Sequence, residues 1–492
     1  MAALRAALYI LAALLPLALA WRVDGPRHEL AGYADEPAHA VNALLVRDYL
    51  ASHIGQDPKR FALDYYEHYP KVTIGIWGPV APAVFGSWLL AFGASAASLL
   101  AAAGAVVLAL GLLIHRGCAA QGVWPGLFGA AIFGASAVTV WNANAVMADA
   151  LVGLWCWLAL LSFARWAEGG GRRWAIGFGL LSACAVLTKA NGVVALGVPF
   201  GFVLARRDWR RTRDVWFWIP LALAAALAGP WQWYSAKLVA EAVVLPEPGW
   251  DTLWQNFTDY VKTLPDAVGF AGIALAGAGA WRTFRNPASP LSSAALGLLL
   301  ASAAFHVVAP HQFSPRYLMA SLGAWSATAA VGAAGAGRAW TAAAIAAILL
   351  GAIRYPYEPK PWLGFDRVAL ETMARPGTGP ILVSSDAMGE GALISGIALR
   401  DRRPGRTILR ASKVLAKSSW EGLRRDLLFE EPADAMRYLE SRGTRLAVLQ
   451  PTEDSRLEWE LLQRVIAEYP ERWRKLRTWS HPAPKVELWE LR

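Results

Sequence analysis

The chain has 492 residues, a formal net charge of +10, 56% hydrophobic residues and only 17% charged ones. Soluble domains carry about a quarter charged residues, so this composition excludes a wholly soluble protein. The positive excess falls largely in short loops between apolar stretches, a placement that fits membrane topology and argues against nucleic-acid binding.

Residues 1–20 resemble a signal peptide, ending in Ala-Leu-Ala before Trp21. They are read as a retained first helix, because the alternation of the later loops needs that crossing. Further apolar stretches lie at 95–114, 122–140, 148–164, 174–188, 191–205, 215–230, 266–281, 290–308, 317–335 and 339–353. With 4–20 they predict about eleven transmembrane helices. The run from Gly78 to Ile114 is too long for one crossing, and its Pro and Gly residues set off 78–93 as an interfacial helix. With Arg5 inside, every inner loop carries Arg, from Arg116 through Arg165, Arg172, Arg173 and the 206–213 run to Arg282, Arg285 and Arg338. An odd number of crossings then leaves the C-terminal tail outside. The 25 Trp residues suit membrane interfaces, and Trp250 and Trp254 in the expected outer loop 231–265 are placed to anchor there or to cover a lipid.

The expected fold is mainly α and polytopic, with a membrane domain over 1–353 and a small α/β domain over 354–492. Within the tail, 380–384, 445–449 and 486–491 read as strands, and 432–441 and 456–469 as helices. Gly389-Glu390-Gly391 reads as a plain turn. No internal repeat is visible. Cys118, Cys156 and Cys184 lie in or beside apolar stretches, with neither a disulfide framework nor zinc spacing.

Chemistry-bearing residues gather on the outer side. The first outer loop, 21–77, contains Tyr33-Ala-Asp35-Glu36-Pro37-Ala-His39, then Asp64-Tyr-Tyr-Glu-His68-Tyr-Pro-Lys71 and Trp77-Gly-Pro. Asp35 could simply cap a helix over 37–50. Asp149 opens a span on the same side, where the helix dipole alone would favour a carboxylate. Lys189 lies between two spans and Arg316 opens a late one; each could merely snorkel to headgroups. Together the acidic pair, Asp149, Lys71, Lys189 and Arg316 form a mixed-charge set at one membrane face.

In order and topological side, these motifs resemble those of the GT-C glycosyltransferases, in particular the superfamily of the protein-O-mannosyltransferases and lipid A aminoarabinose transferases. The resemblance covers about residues 4–353, with His39 and Lys71-Val-Thr departing from the common pattern. It implies transfer of a sugar, hexosyl or pentosyl, from a polyprenyl-phosphate donor to an extracytoplasmic glycan, lipid or protein, with inversion. Asp35 would be the catalytic base; Glu36 and Asp149 would orient cations or sugar hydroxyls. Lys71, Lys189 and Arg316 would stabilise the phosphate leaving group. No nucleotide cofactor is needed, in line with the lack of a phosphate-binding Gly loop. A divalent cation on Asp35, Asp149 and water stays open, since hard cations prefer oxygen ligands. His28, His39, His53, His68, His306 and His311 are too scattered for a zinc pattern.

Two other readings are a transporter or lipid flippase and a non-catalytic glycan receptor. A conduction path would place ionisable residues near span centres, whereas these span interiors are nearly free of them. The Ala-, Arg- and Trp-rich composition suggests a high-GC bacterium, which places the chain in a bacterial inner membrane with a periplasmic tail and membrane lipids around it.

Overall fold

The computed structural model describes residues 2–24, 29–242, 247–287, 289–309, 313–377, 379–419, 425–480 and 485–492. His28 and His311 lie outside them. The first part of the chain is helical: α1 (Ala2–Asp24), α2 (Glu36–Ser52), α3 (Pro58–His68), α4 (Val80–Phe92) and α5 (Ala96–Cys118). There follow α6 (Val123–Ala135), α7 (Ala137–Ala143), α8 (Asp149–Ala167), α9 (Arg172–Thr188), α10 (Val198–Arg206) and α11 (Val215–Ala242). The last four are α12 (Trp250–Arg285), α13 (Pro290–Val308), α14 (Met319–Ala336) and α15 (Arg338–Arg354).

All the expected crossings fall on helix, but they are not alike. Among the described residues, 6 helices are long and apolar enough to cross a bilayer, or 7 if the bent α6–α7 pair is one span. That pair corrects the single span expected at 122–140, for it bends by 62° where Ser136 breaks the helix. The expected crossing at 191–205 begins as a 3-10 turn, Ala190–Gly197, before α10. At 17 residues each, α9 and α15 are near the lower limit for a span. As expected, α4 is a separate short helix; it packs along α2.

The loop expected at 231–265 is largely helix. The 28 residues of α11 reach about 42 Å, well past a hydrocarbon core of about 30 Å. Its far end braces the tail face of the bundle, where Ser235 donates to the Ile76 carbonyl at 2.7 Å and Gln232 to that of Val186 at 3.0 Å. Trp250 and Trp254 stand exposed at the start of α12, which is broken at Gly269.

The tail is an α/β layer structure. After α16 (Phe365–Ala374) come β1 (Ile381–Ser384), α17 (Ala387–Ala398), β2 (Ile408–Arg410), α18 (Ala411–Val414), β3 (Ala416–Lys417) and β4 (Asp426–Leu427). Then follow α19 (Pro432–Ser441), β5 (Leu446–Leu449), α20 (Arg456–Glu468), β6 (Trp473–Trp479) and β7 (Val486–Leu491). The sheet runs β2-β1-β5-β7-β6, with β1 parallel to β2 and β5, and β7 antiparallel to β5 and β6. Alternate residues on its strands feed two cores. Ile381, Val383, Leu446 and Val448 join α16, α17 and the first-loop helices. Leu382, Ala447 and Leu449 face α19 and α20.

Gly389-Glu390-Gly391 is not a turn. It lies in the first turns of α17, capped by Asp386, whose side chain accepts from the Gly389 N–H at 2.7 Å. A Cβ on Gly391 would stand 2.9 Å from Pro37 Cγ and 3.0 Å from Lys71 Cε, so the glycine lets α17 close on α2 and Lys71.

Polar bonds complete that seam. Asp48 on α2, buried, accepts from Arg403 Nε at 2.6 Å and from the Tyr65 hydroxyl at 2.9 Å. The Tyr69 hydroxyl donates to Asp401 at 2.9 Å and accepts from the Gly405 N–H at 3.1 Å. Glu29 accepts the N–H groups of Leu363, Gly364 and Phe365 at 2.7, 3.1 and 2.6 Å, satisfying the start of α16. Asp48→Ala would strand the Arg403 guanidinium in the seam. It is expected to cost about 3–5 kcal/mol, read as a lower Tm and as faster proteolysis between α15 and β1.

Candidate active site

The tail face gathers the ends of several helices. Asp35 occupies the position before α2, but its side chain makes no cap bond; it accepts instead from Arg316 Nη2 at 3.0 Å. Capping therefore does not account for it. Asp149, buried as the first residue of α8, accepts from Lys189 Nζ at 2.7 Å. Lys189 stands in extended conformation just past α9, and Arg316 in the 3-10 turn Pro315–Leu318 before α14. Each cation also lies over an aromatic face: Lys189 Nζ 4.6 Å from the Tyr317 ring centroid, Arg316 Cζ 4.1 Å from that of Tyr33.

Close backbone packing holds this group together. A Cβ on Gly78 would come within 1.8 Å of the Leu187 carbonyl oxygen, so only glycine lets the Trp77–Gly78 segment meet the end of α9 beside Lys189. Trp77 in turn stacks on His39, with centroids 4.2 Å apart and planes inclined by 25°. His39 is buried one helical turn beyond Asp35, and burial pulls its pKa down to about 4 although Asp35 and Asp149 act to raise it. The cluster thus holds two carboxylates, two cations and a neutral imidazole. Several of its buried polar atoms have no protein partner: Asp149 Oδ2, Arg316 Nε and Nη1, and His39 Nδ1. Such atoms are costly in a finished core and ordinary in a site built for a polar ligand.

Glu36 points elsewhere. Fully buried, it accepts from the Gly32 N–H at 2.7 Å, the Val146 N–H at 3.0 Å and Lys360 Nζ at 2.6 Å. It joins the first loop, the segment before α8 and the strap entering the tail. Lys360 and Glu29 escaped sequence reasoning, since a lone Lys between prolines and a lone Glu near a helix carry no spacing signal. Lys71 is also apart from the ion pairs. Its Nζ donates to the Ala387 carbonyl at 3.2 Å, at the seam with α17, where the charges of Arg410, Glu390 and Asp35 act on it. Burial lowers its pKa to about 7. His53 packs against Phe61, His68 meets Thr407, and His306 stacks over Tyr317 with centroids 6.2 Å apart.

Among the described residues, no group of three His, Cys, Asp or Glu is placed to hold a metal ion. Asp35 and Asp149 are each already engaged by a cation. The described residues therefore do not make a metal centre.

No protein-family model matches the chain, and no curated protein matches it in sequence. Solved structures do match its fold. ArnT from Cupriavidus metallidurans in the apo state superposes with a TM-score of 0.61 at 12% identity, covering 98% of this chain and 97% of its own. ArnT bound to undecaprenyl phosphate gives 0.56 at 14%, covering 99% and 97%. The archaeal oligosaccharyltransferase AglB from Archaeoglobus fulgidus, in complex with an inhibitory peptide and a dolichol-phosphate, gives 0.56 at 12%, covering 98% and 74%. The chain has the GT-C fold. It is a multi-pass membrane protein, and its likeness in fold to ArnT runs through the tail as well as the helices. Within that GT-C frame, Glu36→Ala is expected to lower stability by about 3–5 kcal/mol by leaving Lys360 unpaired. Glu36→Gln, which can still accept a backbone bond, should cost less; thermal unfolding of the two variants in detergent checks the order.

Proposed function

We propose that the chain is a glycosyltransferase that moves a hexosyl or pentosyl unit from a polyprenyl-phosphate donor to an acceptor hydroxyl. The acceptor is an envelope glycan, lipid or protein on the extracytoplasmic face of a bacterial plasma membrane. The observation that carries this reading is the double ion pair, Asp35–Arg316 and Asp149–Lys189, at one end of the helices. Arg316 Nε and Nη1 are left over there for an anion. The fold shared with ArnT and AglB, seen with undecaprenyl phosphate and dolichol-phosphate respectively, supports the class of donor.

The chemistry follows from charge flow. The acceptor oxygen attacks the anomeric carbon while the bond from that carbon to the phosphate oxygen breaks, and the polyprenyl phosphate leaves with the electron pair. Asp35 takes the hydroxyl proton; its tie to Arg316 keeps it in place and leaves its second oxygen to act. Negative charge grows on the phosphate, so Arg316, Lys189 and Lys71 bind the transition state more tightly than the ground state. Asp149 positions Lys189. Glu36 fixes the backbone that presents Asp35 and Asp149. A single displacement inverts the anomeric centre. Residues 1–353 hold the reacting groups, and 354–492 close over Lys71 through α17. Transport is disfavoured, because these buried charges sit at helix ends and not along a path through the bundle.

The test is release of polyprenyl phosphate by the full chain in nanodiscs, with polyprenyl-phosphate sugars and envelope extract. Wild type should release it, and Asp35→Asn should lose about 100- to 10,000-fold while still binding donor. Near-normal turnover in Asp35→Asn would put the base elsewhere. Lys71 gives a separate expectation. It is half neutral near pH 7, and a phosphate beside it favours the ammonium form, so donor binding takes up a proton. Affinity for polyprenyl phosphate should weaken several-fold between pH 6.5 and 8.5 in wild type, and this slope should flatten in Lys71→Met.

A further inference from the structure

His39 is not explained by the roles given so far. It is 6% exposed and stacks on Trp77, work that a phenyl ring would do without a polar cost. Its Nδ1 is buried and has no protein partner. The His39 N–H donates to the Asp35 carbonyl, so the two side chains lie one turn apart on the same side of α2. Nearby, Asp149 Oδ2 and two Arg316 nitrogens are likewise unpartnered. A buried unpaired ring nitrogen is disfavoured unless something fills its lone pair or takes its proton. The charges of Asp35, Lys189, Asp149 and Arg316 all act on this ring, which sets it inside the cluster.

We propose that His39 docks the acceptor hydroxyl, accepting its hydrogen bond at Nδ1 and so holding the oxygen beside Asp35. The proposal rests on the transferase reading above. It requires the tautomer with the proton on Nε2. In the step itself His39 neither gains nor loses a proton: the hydroxyl proton passes to Asp35 as the new bond to the anomeric carbon forms. The low basicity that burial gives the ring keeps it neutral, and hence an acceptor, throughout the neutral pH range. Arg316 and Lys189 remain with the phosphate, so donor and acceptor are held by different residues of one cluster.

The experiment compares wild type, His39→Phe, His39→Leu and His39→Asn in nanodiscs, with polyprenyl-phosphate sugar as donor and envelope extract titrated as acceptor. The first two remove the nitrogen in two shapes; the third returns a hydrogen-bonding group near the Nδ1 position. His39→Phe should bind donor within about two-fold of wild type, yet need about 10- to 100-fold more acceptor to reach the same rate. His39→Leu serves in the same way if the phenyl variant does not bind donor. His39→Asn should recover most of the loss. An acceptor dependence unchanged in the variants that bind donor, or a loss in His39→Asn as large as in His39→Phe, overturns the assignment. Lack of release by wild type itself would instead overturn the transferase reading, and this assignment with it.

Discussion

A carboxylate taken out of water must be compensated by donors close at hand, and Glu36 draws its compensation from its own loop and from two distant parts of the chain. Gly32 lies in the first loop, Val146 just before α8, and Lys360 on the strap into the tail. Each donor is held by the same side chain, so none of the three segments can shift without exposing a buried charge. Asp35 adjoins Glu36, and Asp149 lies three residues beyond Val146. The two carboxylates of the ion-pair cluster are therefore set in space by a third that lies outside it.

The cluster shows how opposite charges can be buried and still remain useful. Asp35 and Asp149 each meet one cation, which limits the cost of leaving water. Aromatic faces of Tyr33 and Tyr317 take a further share of Arg316 and Lys189. Neither pairing exhausts the groups involved, since the guanidinium keeps two nitrogens and Asp149 one oxygen without protein partners. In the function proposed above, a ligand phosphate joins the network without first breaking it. Placement at helix ends matters equally, because backbone that is not committed to helical bonds lets residues from several helices converge.

Much of this was legible in the sequence. Long apolar stretches became helices, since the hydrophobic requirement acts on every residue of a span. The strands at β1, β5 and β7 and the helices α19 and α20 carry strong local patterns, and the structure places them within a residue or so of expectation. Short elements did not announce themselves: β2 has only three residues and owes its existence to pairing with β1. The turn expected at Gly389 is helix because Asp386 caps it locally, a signal the reading passed over, and because Gly391 lets it close on α2, a tertiary fact. Residue type singled out Asp35, Asp149, Lys189 and Arg316, which the structure brings together, but not their pairing. No spacing rule reports that Arg316 chooses Asp35, that Lys189 chooses Asp149, or that Lys360 lies in wait for Glu36.

The seam between α2–α3 and the tail has a consequence for how such a protein can change over time. Its bonds are specific, with Asp48 fitted to Arg403, Tyr69 to Asp401 and Gly405, and Glu29 to the start of α16. A tail borrowed from another chain would bring its own surface and leave these groups unanswered. Recombination at the end of α15 is thus a poor route to new variants of this protein, and divergence must proceed by matched substitutions on both sides of the seam. The tail and the first loop are thus bonded as one unit, although more than three hundred positions separate their bonded residues.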